Sequence, residues 1–318
     1  MSNNSEPAPR PRDSVEAQTI AYVLFLLMTL ILTWRWDWFI PFVESQASAT
    51  IGRQVTIQHL KVRLGGITEI TAEGVTIANP KGFGAIKPLG TADRLLVDAD
   101  IMAYISQGMV VLPFIEVDQP FAAVRQLPNG DTNYALDIAN SGNSTAQPVQ
   151  IGDLIIVNGS ATVDIPKLKT NFTMTIATQN SQTSSIKNEI MVTAHGTYSG
   201  QPITAKFIGG SLLSLRDPSN PYPINLHIQN GTTVASLVGT TTNPLNFSGA
   251  NLKLSFSGQS MSNLYQLTGI PIPATPPYAI TGRLNYSKNA FQFENFEGRV
   301  GSSDIEGSIS ETTPRDGS

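Results

Sequence analysis

The fold is decided by a strand-and-turn pattern that is clearest at residues 275–310, which read TPPYAITGRLNYSKNAFQFENFEGRVGSSDIEGSIS. Apolar and polar residues alternate through most of this stretch, as is typical of β-strands with one buried face. The alternation predicts that Leu284 and Phe293 lie on the apolar face of successive strands. A bulge is expected to shift the phase before Phe296, and Ile305 begins a further strand.

The segment VGSSDIEG within this stretch holds Ser302, Ser303 and Asp304 between glycines. A nucleophile elbow needs the pattern G-x-S-x-G at a turn from a strand into a helix, and this segment has neither. Residues after Asp304 alternate as a strand. We therefore expect a turn, with the Asp304 side chain bonded to local backbone.

The same alternation recurs along the chain from Arg53 onward, in about 18 segments by pattern counting. Turn-forming pairs such as Asn129–Gly130 and Asn230–Gly231 separate the segments. Only DIMAYISQG and SMSNLYQLTG, which end at Gly108 and Gly269, are plausible short helices after residue 52. Repeated parallel crossovers need more helices than this, so we predict a mainly β fold with a mostly antiparallel sheet.

One face of nearly every predicted strand is apolar and must cover a second sheet, a helix or an apolar ligand. If that face lines a groove, the candidate lining residues come one each from eight of the predicted strands. They are Val97, Val163, Met174, Leu226, Leu254, Leu284, Phe293 and Ile305.

Composition excludes several classes of function. The formal net charge is −4 and no basic stripe is visible, so we expect no nucleic-acid partner. The chain contains no cysteine, which excludes a disulfide scaffold, thiol catalysis and zinc–thiolate sites.

The N-terminal region predicts a membrane anchor, because residues 17–34 contain no charge. Residues 20–38 as a helix would extend for about 28 Å, close to the hydrocarbon thickness of a bilayer. All three tryptophans follow at one end, as in an interfacial belt. The predicted anchor residues are Ile20, Leu24, Leu27, Leu30, Trp34, Trp36 and Trp38. A cleaved signal peptide ending near Ala47–Ala49 is the alternative.

The anchor sets the predicted organisation of the chain. Residues 1–16 form a disordered cytoplasmic tail, residues 17–38 a transmembrane helix and residues 39–52 a short connecting helix. Residues 53–311 form a β-domain that could divide near 139–150, and 312–318 form a disordered tail. Arg10 and Arg12 favour a cytoplasmic N-terminus, although Arg35 favours the reverse; we predict the tail inside and the main body outside.

No catalytic, cofactor or metal constellation is visible. The three histidines, His59, His195 and His227, lack the close spacing of a metal site. Asp98 and Asp100 form a D-x-D pair that would share a strand face, but plain alternation produces the same spacing. We therefore expect a protein that is not an enzyme and holds no cofactor or metal.

Several segments, taken in order, resemble the AsmA family of Gram-negative envelope proteins. They are IGRQVTIQHLKVRLG, EGVTIANPKGFG, ADRLLVDADIMAYISQG, IEVDQPFAAVRQLPNGDTNY, IGDLIIVNGSATVDIP, LYQLTGIPIPATPPYAITGRLNY and FEGRVGSSDIEGSIS. The resemblance runs from about residue 20 to residue 311. Each segment alone is a common strand-and-glycine pattern, and their order carries the resemblance.

The resemblance implies an inner-membrane anchor with the body of the protein in the periplasm. It implies an elongated, bent sheet that forms a trough, related to bridge-like lipid-transfer proteins, with acyl chains of phospholipids as the cargo. The family is linked to outer-membrane biogenesis and has no known catalytic residues. Its members are usually longer, so this sequence is expected to be a fragment, a shortened form, or a module that needs a partner.

Two functions follow from these expectations. The first is a membrane-anchored module that binds or conducts phospholipid acyl chains along an apolar trough. The second is a non-transporting scaffold or regulator of outer-membrane protein assembly, in which the sheet closes on itself as a sandwich and acts by protein contact. Besides the inner membrane and its phospholipids, the expected partners are further envelope proteins at the exposed C-terminal sheet edge. The sequence leaves both open.

Overall fold

The protein is described by a computed structural model. It covers residues 35–83, 87–134, 149–179, 188–216, 220–244, 248–265, 271–287 and 290–312, together with residues 19, 22, 23, 25 and 28. Within these residues the strands all belong to one sheet. The fold is therefore mainly β, as the alternation predicted.

The sheet holds seventeen described strands, one fewer than the pattern count. In chain order they are β1 (Val55–Thr56), β2 (His59–Arg63), β3 (Thr68–Ile77), β4 (Gly90–Ala99), β5 (Val110–Asp118), β6 (Phe121–Arg125), β7 (Val149–Val157), β8 (Gly159–Ile165), β9 (Thr170–Gln179), β10 (Glu189–Tyr198), β11 (Gln201–Gly209), β12 (Tyr222–Asn230), β13 (Thr233–Asn243), β14 (Ser248–Gly258), β15 (Tyr278–Ser287), β16 (Ala290–Val300) and β17 (Ser303–Thr312).

The described helices are short. There are two α-helices, α1 (Ile40–Ile51) and α2 (Ile101–Gln107). Four 3₁₀ helices are also described, at Trp36–Phe39, Pro166–Leu168, Leu213–Arg216 and Met261–Leu264. The helix predicted to end at Gly108 is confirmed as α2, with Gly108 in the left-handed conformation after its last turn. The helix predicted to end at Gly269 is seen only as its first 3₁₀ turn, and residues 266–270 lie outside the described part of the chain.

The strands pair in chain order, so the sheet is a long meander. From β8 to β17 each strand is antiparallel to the next. The exception is one parallel junction, where β5 and β6 pair with β7 and β8. β1 with β2, β5 with β6, and β7 with β8 each follow one continuous path, which leaves fourteen strand positions. At about 4.8 Å per position, the sheet extends for roughly 60 Å across its strands.

A crease crosses the first strands of the sheet. Gly74, Gln119 and Asn158 have φ values of 63°, 46° and 52° within otherwise extended strands. The pairing registers place all three residues on one line across the sheet. Gly74 lies between Gln58 and Asp93, Asp93 lies beside Gln119, and Gln119 lies beside Asn158. The interruptions between β1 and β2, β5 and β6, and β7 and β8 lie on this line. The crease is therefore a property of the sheet and not of one strand.

The two edges of the sheet differ in whether their outward backbone N–H groups have hydrogen-bond partners. At the first edge, three backbone amides that point away from β3 are satisfied by side chains of the preceding helices: Leu60 by Asp37, Ile57 by Glu44, and Val55 by Ser48, at 2.9, 2.7 and 2.8 Å. At the last edge, β17 pairs with β16, and no register joins its outer side to another described strand.

The predicted anchor is only partly within the described residues. No described helix is both long enough and apolar enough to cross a membrane. Residues 20, 24, 27, 30 and 34 lie outside the described residues. Trp36 and Trp38 form the 3₁₀ helix Trp36–Phe39, which contacts β2. The boundary predicted at residue 38 therefore falls inside an element of the folded body.

Candidate functional site: an apolar face of the sheet

The strand registers align apolar side chains into rows that cross the sheet. One row runs Ile176, Val192, Phe207, Leu226, Leu237 and Leu254, each directly opposite the next. A second row runs Ala161, Met174, Ala194, Ala205, Ile228, Ala235, Phe256, Ile280, Gly298 and Ile305. Residues opposite each other share a face, so these rows form one continuous apolar face from β8 to β17. We call it the apolar face.

The apolar face continues into the first strands of the sheet. There a row runs Val62, Ile70, Val97, Ile115 and Leu154. The crease shifts the alternation by one residue. Ala92 and Leu95 line the same cavity although an even number of residues separates them, which would place them on opposite faces of a regular strand. The same holds for Val117 and Ala122. The phase shift between Ile57 and Leu60 in the sequence has the same origin.

All eight candidate lining residues lie on the apolar face. Val163, Leu284 and Phe293 are buried, and Val97, Met174, Leu226, Leu254 and Ile305 are partly buried. Leu284 and Phe293 are directly opposite each other on β15 and β16. The structure thus brings seven of the eight onto the section β8–β17 and places Val97 beyond the crease.

The C-terminal section of the apolar face is packed. Its centre is a buried cluster on β12, β14, β15 and β16, in which Leu252 is only 1% exposed. Leu215 and Leu264, from the 3₁₀ helices Leu213–Arg216 and Met261–Leu264, pack into this cluster. The rings of Phe293 and Phe296 stack with centroids 5.4 Å apart. Here the apolar face forms a core.

The N-terminal section of the apolar face, formed by the strands before β8, lines an open cavity of about 420 Å³. Its wall is almost wholly apolar and is supplied by β3 to β6 and the end of α1. The main lining side chains are Ile51, Val75, Ile77, Leu89, Leu95, Val117, Phe121 and Tyr134. Its volume and apolar wall are those of a small-molecule pocket, which typically measures about 300–1,000 Å³. The alternation of apolar and polar residues did not indicate this cavity; the phase shift at residues 57–60 is the feature of the sequence that could have done so.

The opposite face of the sheet is polar and also concave near its C-terminal edge. A groove of about 1,000 Å³ is lined there by three serines, one threonine and four charged side chains of β13 to β17, together with the apolar residues Val234 and Ala279. Ser255 and Thr281 hydrogen-bond across the strands at 2.8 Å, and Arg299 Nε donates to Asp304 at 3.1 Å. The expectation that Asp304 bonds local backbone is therefore wrong. Its carboxylate pairs with a side chain on the neighbouring strand.

The titratable side chains form cross-strand pairs. Arg94 donates to Asp118 and Glu116 from the polar face of β4, and the hydrogen bond to Asp118 is the main reason that the pKa of Arg94 is raised. The Lys61 ammonium group lowers the pKa of the Glu73 carboxyl by hydrogen-bonding to it. These pairs stabilise strand pairing and bring no acid and base together around a cavity.

The other polar candidates separate in space. Asp98 lies in β4, whereas Asp100 accepts a hydrogen bond from Ala103 N–H at 2.9 Å and caps α2. His59 lies 3.9 Å from Asp37. His195 hydrogen-bonds with Thr173. Among the described residues, no group of three side chains of metal-ligating type comes together.

Comparison with known proteins supports the resemblance stated from the sequence. The chain is similar to the AsmA family protein YhjG of Escherichia coli (strain K12), with 25% identity over 337 residues. The similarity covers 92% of this chain and confirms the AsmA-like character of the sequence. The chain spans 48% of the length of that relative. No protein-family model matches the chain. No solved structure matches it.

Proposed function

We propose that this AsmA-like chain is an inner-membrane-anchored protein of the cell envelope that binds phospholipid acyl chains on the apolar face of its sheet. The observation that carries the proposal is the open apolar cavity beside the crease, next to a continuous apolar face. A strand face of this kind needs a cover, and no second sheet is present among the described residues. Acyl chains meet that need without polar contacts.

The proposed mechanism is passive. Transfer of an acyl chain from water to the apolar face is favourable by roughly 25 cal/mol per Å² of apolar surface removed from water. Headgroups remain in solvent at the open side of the cavity. No catalytic step, cofactor or metal is needed. The elongated sheet, of trough-like form in this proposal, gives the chains a path across its strands, along the apolar rows.

The placement in the envelope is supported by the similarity to an AsmA family protein and by the apolar N-terminal run, residues 17–34, which contains no charge. We place the N-terminus in the cytoplasm and the sheet in the periplasm, where the protein contributes to outer-membrane biogenesis. Since the chain spans about half of its relative, its sheet is proposed as one section of a lipid path. Further envelope proteins are proposed as partners at the β17 edge.

Two adjacent leucines provide the test of acyl-chain binding. Leu95 lines the cavity, whereas Leu96 faces Thr71 and Glu116 on the polar side of the same strand. A photo-reactive benzoyl-phenylalanine is placed at either position in the full chain in cells. After irradiation, we expect phospholipid adducts at position 95 and a several-fold lower yield at position 96, measured by mass spectrometry. Equal yields, or a folded protein that carries no lipid at all, would contradict the proposal.

A scaffold that acts by protein contact is the second candidate, and the packed C-terminal section favours it. Leu252, Tyr222 and Phe293 are buried there as in an ordinary core. In that case cross-linking from the polar groove of β13 to β17 gives protein adducts, and cross-linking from Leu95 gives no lipid. The first candidate therefore predicts lipid adducts from the apolar face. The second predicts protein adducts from the groove of β13 to β17 and no lipid adducts from the apolar face.

A further inference from the structure

One end of the sheet carries a cluster of exposed apolar side chains. It consists of Leu64, Ile67, Ile101, Met102, Tyr104 and Ile105, which we call the apolar rim. Leu64 and Ile105 are 72% and 71% exposed. Exposed apolar residues are normally scattered singly over a protein surface, and a contiguous group marks an interaction site.

The two segments of the apolar rim leave the sheet side by side. Leu64 and Ile67 belong to the turn between β2 and β3. The other four residues belong to α2, which begins directly after β4. Thr68, the first residue of β3, is opposite Ala99, the last residue of β4. The turn and the helix therefore project from the same end of neighbouring strands.

The chemistry of the apolar rim suits hydrocarbon. Residues 64–67 read LGGI and residues 101–109 read IMAYISQGM, and neither segment contains a charged residue. A surface helix normally buries its apolar stripe against the protein. In contrast, α2 has no buried residue. Four large apolar side chains on a seven-residue helix thus remain 39–71% exposed in the described fold.

The described chain enters the folded body at this same end, where its continuous part begins at Arg35 directly after the apolar N-terminal run. α1 is antiparallel to the edge of β1 and β2, since Ser48 bonds to Val55 and Asp37 bonds to Leu60. The start of this helical segment therefore lies toward the end of β2 that leads to Leu64. Trp38, Phe39 and Phe42 are exposed there as well. The described positions in the run, among them Phe25, are helical and exposed.

Resting on the membrane anchor of the proposed function, we infer that the apolar rim inserts into the surface of the lipid bilayer that holds the N-terminal run. Side chains of this type partition into the region between headgroups and acyl chains. One contact allows the sheet to rotate about its anchor, whereas two separate contacts fix the direction of its strands. The rim therefore holds this end of the strands against the membrane. It does so whether or not the apolar face carries acyl chains.

The absence of cysteine from the chain makes the test direct. Single cysteines replace Met102 or Ile105 in the full chain and are labelled with an environment-sensitive fluorophore. Leu168→Cys is the matched control, because Leu168 is an exposed apolar residue, 50% accessible, in the 3₁₀ helix that follows β8. β6 runs antiparallel to the start of β4, and β8 runs parallel to β6. Leu168, which follows β8, therefore lies at the end of the strands opposite to α2. Phe25→Cys reports separately on the N-terminal run.

The labelled proteins are reconstituted into vesicles of phosphatidylethanolamine and phosphatidylglycerol, with or without nitroxide groups on the acyl chains. We expect blue-shifted emission and nitroxide quenching at positions 102 and 105, and aqueous emission at position 168. Quenching at position 25 without quenching at 102 or 105 contradicts the rim contact and leaves the anchor intact. Blue-shifted emission without nitroxide quenching also contradicts it and indicates a protein surface instead.

Discussion

The carboxylate of Asp37 accepts a hydrogen bond of 2.9 Å from the backbone N–H of Leu60, which points away from the sheet. The side chains of Glu44 and Ser48 likewise accept hydrogen bonds from the backbone N–H groups of Ile57 and Val55, respectively. An exposed strand edge is a template for pairing with another strand. The segment that follows the apolar run therefore closes the first edge of the sheet. Among the described strands, β17 keeps an unpaired outer side where another strand can extend the sheet.

Removal of one edge acceptor should loosen this edge locally. In Glu44→Ala, the Ile57 amide loses its partner, and we expect faster hydrogen exchange in the peptide that contains β1 and β2. An unmade hydrogen bond of this kind costs about 1 kcal/mol, or roughly a fivefold change in protection. Glu306→Ala, on the exposed β17, is the control and should leave the exchange of β1 and β2 unchanged. Unchanged exchange in Glu44→Ala would mean that α1 does not cap the edge.

The crease should depend on Gly74. Its φ of 63° is left-handed, and a Cβ at this position would lie 2.6 Å from Gln58 Cγ. We expect Gly74→Ala to lower the free energy of unfolding by about 1–2 kcal/mol, measured from the urea midpoint of the far-UV circular dichroism signal. In the matched variant Gly66→Ala, a Cβ meets nothing within 4 Å. Equal midpoints for the two variants would show that the crease tolerates an ordinary residue.

Leu252 tests whether the C-terminal section of the apolar face is a core. It is 1% exposed, so Leu252→Ala should cost about 2–5 kcal/mol of unfolding free energy. Val238→Ala, a change at a 44% exposed position on the opposite face, should stay within about 0.5 kcal/mol. A small loss in Leu252→Ala, comparable with that of Val238→Ala, would indicate an adaptable groove in place of a packed core.

Tyr222 should make the fold sensitive to alkaline pH. Burial raises the pKa of its hydroxyl to about 12 from an ordinary value of 10.0, and the hydroxyl donates to Gly210 O at 3.0 Å. Above pH 10 the unfolded chain releases this proton while the folded chain retains it, so the free energy of unfolding falls as pH rises from 10 to 12. The full effect of a shift of this size is on the order of 2–3 kcal/mol.

Tyr222→Phe is the control for the alkaline effect. It removes the titrating group and should reduce the slope of stability against pH between pH 10 and 12, measured by urea unfolding at each pH. Tyr278, whose pKa is also raised by burial, leaves a residual slope. An identical slope in the wild-type protein and in Tyr222→Phe would assign the alkaline sensitivity to other groups.

The sequence indicated local features well where a short-range pattern specifies them. The bulge expected before Phe296 is present as a register shift, with Asn295 at a φ of 47°. Gly108 ends α2 as expected. Asp100 had two interpretations, a strand residue that shares a face with Asp98 and the first residue of the helix DIMAYISQG; the structure confirms the second, since Asp100 caps α2. Asp304 was misjudged because its partner, Arg299, lies on the neighbouring strand.

By itself, the sequence determined that the chain forms many one-sidedly apolar strands in a mostly antiparallel sheet, because the two-residue period and the turn residues act over a few positions. Only the tertiary structure decided which residues of different strands meet. It aligned Gly74, Gln119 and Asn158 into one crease, opened a cavity beside Leu95, packed Leu252 into a core and left α2 exposed. These outcomes depend on register and burial between distant segments, which no local pattern encodes.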